Sequence, residues 1–265
     1  MAFVHACITP HTPVLIPTIG KDGLKLLDKT SQALVQLEQA LYLAQPDTLL
    51  VISPHGESLP DAVCINLNAK YVCNFSEFGD LTTKREWKSE IVLADRIRED
   101  FKLKHLPLTL SSSEYLDYGS AVPLFYLTQH LPKVRIVPVM TASKLDVKTH
   151  YEIGRQLKDE IMGSMKRVAV IASADLSHRV SENSPGGLLP KGIAFDEKIQ
   201  EMLGKVNMIG MLDIDEAWID EAQACGGKVL AMLAGILDDV KYEPSLLSYE
   251  KPLGVGYLVA SLKIS

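Results

Sequence analysis

The stretch Thr48-Leu49-Leu50-Val51-Ile52-Ser53-Pro54-His55 predicts a buried β-strand that stops just before a histidine. Two further apolar runs end in the same way, at His11 in Ile8-Thr9-Pro10-His11 and at His178 in Ser173-Ala174-Asp175-Leu176-Ser177-His178. Ligands and catalytic groups collect at the carboxyl ends of the strands in open α/β sheets. The placement of these three histidines therefore predicts a metal site or an acid/base site at that end of a sheet.

Apolar runs typical of strands alternate with segments of helical periodicity along the whole chain. Strands are predicted at about residues 2–8, 48–53, 62–67, 134–140, 167–173, 241–249 and 253–263, and helices at about 22–43, 84–101, 121–131, 145–165, 191–205 and 215–237. This alternation predicts an α/β fold: a single three-layer domain over residues 1–265 with a central mixed sheet flanked by helices on both faces. The last two strands, separated by Lys251-Pro252, are expected to form an antiparallel hairpin at one edge.

Composition excludes several classes of partner. The net charge of −6 and the lack of a lysine or arginine run argue against nucleic acid or an anionic membrane surface. No apolar stretch reaches the roughly 18–20 residues that a spanning helix needs. The first residues lack the charged and apolar regions of a signal peptide. We therefore expect a cytoplasmic protein whose four cysteines are free thiols: Cys7, Cys64, Cys73 and Cys225.

Proline precedes both His11 and His55, and it removes a backbone donor and restricts the residue before it. Thr9-Pro10-His11-Thr12-Pro13 is therefore a stiff turn that fixes the direction of the imidazole. A preorganised ligand needs such a turn, although a plain strand-ending turn would use the same residues. The polar stretch at residues 180–190, directly after His178, is predicted to form a loop at the rim of the site, with a mobile lid as one interpretation.

Six short motifs follow one another along nearly the whole chain. They are Thr9-Pro10-His11-Thr12-Pro13, Ser53-Pro54-His55-Gly56, Asp117-Tyr118-Gly119 with Val122-Pro123-Leu124, Ala174-Asp175-Leu176-Ser177-His178, Glu221-Ala222-Gln223-Ala224-Cys225-Gly226, and Gly254-Val255-Gly256-Tyr257. In this order and spacing they resemble the class III extradiol ring-cleavage dioxygenases, in the catalytic (LigB-type) subunit family that also includes the Memo-like proteins.

The resemblance implies a metal site and a reaction. It implies that His11 and His55 bind a non-haem Fe(II), with zinc or copper as alternatives, and that His178 is a general acid/base. It further implies a catalytic role for Tyr118 and substrate-binding roles for Asp117 and Asp175. The implied reaction is cleavage of a catechol-like or aminophenol-like ring with O₂.

The chain departs from the dioxygenase pattern at two positions. Cys225 stands where the dioxygenases carry their glutamate ligand, and the Memo-like branch also has cysteine there. Glu221 lies four residues earlier, which is one turn away on the same face of a continuous helix, so either residue is a candidate third ligand. A site with two histidines and a cysteine is softer and favours zinc or copper over Fe(II). Tyr118 stands where the dioxygenases commonly have histidine.

Three hypotheses about function follow from these residues. The first is a dioxygenase acting on a small aromatic substrate with O₂, and the second is a Memo-like metal-binding redox or accessory protein without ring cleavage. The third is a binding module whose histidines are a relic. The sequence leaves open whether the protein forms a homo-oligomer and whether an accessory subunit completes the pocket. The identity of the third metal ligand discriminates between the first and second hypotheses, since a Glu221 ligand would retain ring cleavage and a Cys225 ligand would not.

Overall fold

The computed structural model describes residues 2–57 and 59–265. The strands are β1 Phe3–Thr9, β2 Thr48–Ser53, β3 Val63–Asn66, β4 Lys70–Cys73, β5 Glu86–Ser89, β6 Leu108–Ser111, β7 Tyr115–Leu116, β8 Arg135–Met140, β9 Val168–Ser173, β10 Tyr242–Glu250 and β11 Tyr257–Ile264. The α-helices are α1 Pro17–Gly20, α2 Asp28–Ala44, α3 Ile91–Leu103, α4 Tyr118–Leu127, α5 Val147–Met162, α6 Pro190–Gly204, α7 Glu216–Ala222 and α8 Gly227–Ile236.

All eleven strands within the described ranges belong to one mixed sheet. Its main path is β10-β11-β1-β9-β2-β8-β5-β4-β7, and β3 pairs with β8 and with β6. Strands β1, β9, β2 and β8 run parallel to one another. Three of these neighbours, β1, β9 and β2, are the strands that precede the three histidines, so their carboxyl ends bring His11, His178 and His55 to the same end of the sheet.

Helices cover the sheet on both faces and bury a separate apolar cluster on each. Helices α3, α5, α6 and α8 pack on one face against side chains such as Ile8, Leu50 and Val170. Helices α2 and α4 pack on the other face. The alternate residues of the same strands, such as Val51 and Ile171, point to this face. Strands β2 and β9 are buried along their whole length. The predicted three-layer α/β fold is confirmed, and so is the antiparallel hairpin, formed by β10 and β11 with β10 at the edge.

Three predicted helices differ from the structure. The helix expected at 22–43 begins only at Asp28, and a 3-10 helix over Lys21–Leu27 precedes it. The helix expected at 84–101 begins only at Ile91, because Glu86–Ser89 forms strand β5, in which exposed and buried residues alternate. The helix expected at 215–237 is two helices, since α7 ends at Ala222 and α8 begins at Gly227. The short strands β4, β6 and β7 were not predicted, because two to four residues are too few to show a period.

The structure also bears on the membrane expectation. Within residues 2–57 and 59–265, no helix combines the length and apolar character needed to cross a bilayer.

Candidate metal centre

His11, His55 and Cys225 lie together at the carboxyl end of the sheet. The Nε2 atoms of the two histidines are 3.1 Å apart, and Cys225 Sγ is 3.4 Å from His11 Nε2. All three donor atoms lie within 4.8 Å of one another. Ligand atoms at about 2.0–2.3 Å from a tetrahedral ion are about 3.3–3.6 Å apart. The two separations measured from His11 Nε2 are close to this range, so the three residues form a candidate metal site. His11 is buried and the other two residues are half-buried.

Both histidines are held in the neutral form that binds metal. Burial lowers the pKa of His11 to about 3, and burial together with the neighbouring His11 lowers the pKa of His55 to about 4. Burial also raises the pKa of the Cys225 thiol, and the Asp175 carboxylate raises it further. The thiol therefore keeps its proton without a cation, and a metal ion binding there would displace that proton.

Asp175 lies between two of the three donor residues. Its Oδ1 accepts a hydrogen bond from the backbone N–H of His11 at 2.9 Å, and its backbone carbonyl accepts from Gly226 N at 3.0 Å and from Cys225 Sγ at 3.7 Å. Burial raises the pKa of its carboxyl to about 6. These contacts hold the turn that carries Cys225 against the turn that carries His11, and the substrate-binding role of Asp175 stays a prediction.

Tyr118 and Asp117 begin helix α4 beside His55. The Tyr118 ring stacks on the imidazole with centroids 4.3 Å apart, and its Oη is 2.9 Å from His55 Nε2. Burial raises the pKa of Tyr118, so the phenol stays neutral beside the centre, and the His55 tautomer sets which of the two groups donates. Asp117 caps the helix by accepting from Ser120 N at 3.0 Å, and it also accepts from Ser53 Oγ. The catalytic and substrate-binding roles expected for this pair stay predictions.

His178 faces the same region but stands outside the group of three donors. Its positive form would lower the pKa of both His11 and His55, which places it within electrostatic reach of them. Its Nδ1 lies 3.2 Å from the carbonyl oxygen of Leu176, an acceptor, so the ring donates from Nδ1 and leaves Nε2 free to exchange a proton.

The loop after His178 is tied to the rest of the fold. Ser184 Oγ accepts from the backbone N–H groups of Val180 and Ser181 and donates to Gly254 O at 2.6 Å. Gly186 N donates to the carbonyl of His178. This bonding favours a fixed rim over the mobile lid considered from the sequence.

Glu221 does not join the centre. Its carboxylate binds Lys191 Nζ at 2.6 Å, and 43% of the side chain is exposed. The expectation that one helix carries both Glu221 and Cys225 is wrong, because α7 ends at Ala222 and Gln223 turns the chain with φ of 51°. The four-residue spacing therefore does not put the two side chains on one helical face.

Sequence reasoning missed Asp196, a buried carboxyl behind His178. It is only 1% exposed, accepts from Ser177 N at 2.8 Å through Oδ1, and accepts from Tyr249 Oη at 2.7 Å through Oδ2. Asp196 therefore fixes the backbone next to His178. The sequence did indicate that Asp196 is buried, since this residue lies on the same face of α6 as the apolar residues Ile199 and Leu203.

Replacing Asp196 with asparagine is expected to flatten the dependence of stability on pH. Burial raises the pKa of this carboxyl from 3.8 to about 7, so the folded state holds a proton that the unfolded state releases. Folding stability should then fall as pH rises from about 4 to about 7, by up to about 1.4 kcal/mol per pH unit. Asparagine still accepts from Ser177 N but cannot ionise. Urea unfolding of both proteins across this range measures the effect, and an unchanged slope in the variant would contradict it.

Two known proteins resemble the chain over nearly its full length. Protein CA_C1420 of Clostridium acetobutylicum is 27% identical over 265 residues, covering 97% of this chain and 56% of that protein, so the chain spans little more than half of its relative. The crystal structure of uncharacterized protein JW3007 from Escherichia coli K12 matches with a TM-score of 0.67 and 16% identity. It covers 98% of this chain and 99% of that protein, which shows a shared fold.

A family model agrees with the motifs and with the centre. The model of the catalytic LigB subunit of aromatic ring-opening dioxygenase matches residues 5–260, a range that contains His11, His55, His178 and Cys225. The chain therefore belongs to the LigB family.

Proposed function

We propose that this chain is a metal-binding redox or accessory protein of the Memo-like kind, and that extradiol ring cleavage is not its reaction. The observation that supports this is the third donor of the centre. Cys225 Sγ lies 3.4 Å from His11 Nε2, whereas the carboxylate of Glu221 is bound to Lys191. The sequence left these two residues as alternatives, and their positions favour the thiolate.

The donor set indicates which metals fit. Two neutral imidazoles and a thiolate form a soft site that favours copper or zinc, whereas Fe(II) in an oxygenase needs two histidines and a carboxylate. A bound copper would supply one-electron chemistry, and a bound zinc would act as a Lewis acid. Around that metal, Asp175 would hold the His11 backbone and Tyr118 would stack on the His55 ring.

Ring cleavage with Fe(II) is the second candidate, and the position of His178 favours it. An imidazole that donates from Nδ1 to Leu176 O keeps Nε2 available as a general acid/base beside the centre. In this candidate the partners are O₂ and a small catechol-like or aminophenol-like substrate.

Metal analysis and a ring-opening assay on the same preparation separate the two candidates. Protein purified without oxygen is expected to carry copper or zinc near one equivalent, and its Co(II) form should show thiolate-to-metal absorption. Catechol and 2-aminophenol should give no ring-opened product, even after loading with Fe(II). Ring-opened product from the Fe(II) form would overturn the proposal in favour of the second candidate. Protein that binds none of these metals would reject both.

A further inference from the structure

Two buried serines end adjacent parallel strands directly beneath the centre. Ser53 is the last residue of β2 and Ser173 is the last residue of β9, and both are completely buried. The residues before them, Ile52 and Ala172, are partners across the two strands, so the serines lie side by side. Each contacts one of the two histidines of the centre and also the first turn of α4.

The hydrogen bonds of Ser173 fix the direction of its single proton. Ser173 Oγ lies 2.5 Å from the carbonyl oxygen of Gly119 and 2.9 Å from His11 Nδ1. A carbonyl can only accept, so the hydroxyl proton goes to Gly119 O. Ser173 Oγ must then accept from His11, which places the imidazole proton on Nδ1 and the lone pair on Nε2.

We propose that Ser173 is a positioning residue that holds His11 in the tautomer required for metal binding, with the Gly119 carbonyl orienting its hydroxyl. The inference rests on the proposed centre, because His11 Nε2 is the atom that faces His55 Nε2 and Cys225 Sγ. Partners of this kind orient ligand histidines in metal sites by hydrogen bonding to the other ring nitrogen.

The first turn of α4 braces the second histidine through Ser53. Ser53 Oγ accepts from His55 N at 3.1 Å and donates to Asp117 Oδ1 at 2.5 Å. A Cβ at Gly119 would lie 2.4 Å from Ser53 Oγ and 3.1 Å from His55 Cδ2. Only glycine therefore allows this turn to approach Ser53 so closely. The same end of α4 thus contacts the His11 ring through Ser173 and the His55 backbone through Ser53.

The decisive comparison uses three serine variants with metal affinity as the readout. Ser173→Ala is expected to weaken Zn²⁺ binding about 10–100-fold, and Ser173→Thr, which keeps the hydroxyl, should restore most of it. Ser261→Ala is the matched control, since it removes another buried serine–histidine contact, 3.1 Å to His5 Nε2, away from the centre. Its affinity should equal that of the wild type.

Nitrogen NMR of the metal-free wild type tests the tautomer without any substitution. The His11 proton is expected on Nδ1, and in Ser173→Ala a mixture of tautomers should appear. A wild-type proton on Nε2, or equal affinities of Ser173→Ala and Ser261→Ala, would overturn the inference. If the wild type binds no metal, the proposed function fails, while the tautomer measurement still decides the role of Ser173. The same measurement decides it if Ser173→Ala does not fold.

Discussion

Replacing Cys225 with serine is expected to weaken metal binding by more than about 100-fold, since even loss of a group that only orients a ligand costs about 10–100-fold. Serine has nearly the same shape, but its hydroxyl does not ionise near neutral pH and is a much harder donor than a thiolate. The Sγ atom now 3.4 Å from His11 Nε2 would thus be replaced by a neutral oxygen. Competition titration with a chromophoric chelator measures the loss.

Two further variants make this result specific to Cys225. Cys73→Ser changes a buried thiol that is not in the group of donors, and whose Sγ accepts from Arg85 N, so this variant should bind metal like the wild type. Glu221→Gln should also bind normally, because its carboxylate contacts Lys191. Loss of affinity in Glu221→Gln with normal affinity in Cys225→Ser would return Glu221 to the ligand set and, with it, ring cleavage.

For the second candidate function, replacing His178 with alanine is expected to lower the rate of O₂-dependent ring opening about 10²–10⁴-fold, the usual contribution of a general acid/base. Metal content should stay near that of the wild type, because His178 is outside the group formed by His11, His55 and Cys225. Rates are measured on the Fe(II)-loaded protein, and metal content is measured on the same sample.

The two readouts of His178→Ala have separate meanings. Loss of metal would place His178 among the ligands. An unchanged ring-opening rate with unchanged metal would remove the acid/base role. The metal measurement stands by itself, so the ligand set is tested even where the wild type opens no ring.

Local sequence patterns determined the layers of the fold and the end of the sheet that carries the centre. Long apolar runs such as Thr48–Ser53 and Val168–Ser173 predicted buried strands because a strand covered on both faces has few polar residues. Proline after β1 and β2 marked where those strands end, and so located His11 and His55. These are short-range effects, set by the residue itself and its immediate neighbours.

Only the tertiary structure decided which side chains meet at that end of the sheet. Glu221 and Cys225 were equivalent by spacing, and a left-handed turn at Gln223 separated them. Ser173 and Gly119 are 54 residues apart, and Asp196 and Tyr249 are 53 apart, yet each pair shares a hydrogen bond. Contacts of this kind depend on how helices pack on the sheet, and that packing is set by the whole core rather than by any local pattern.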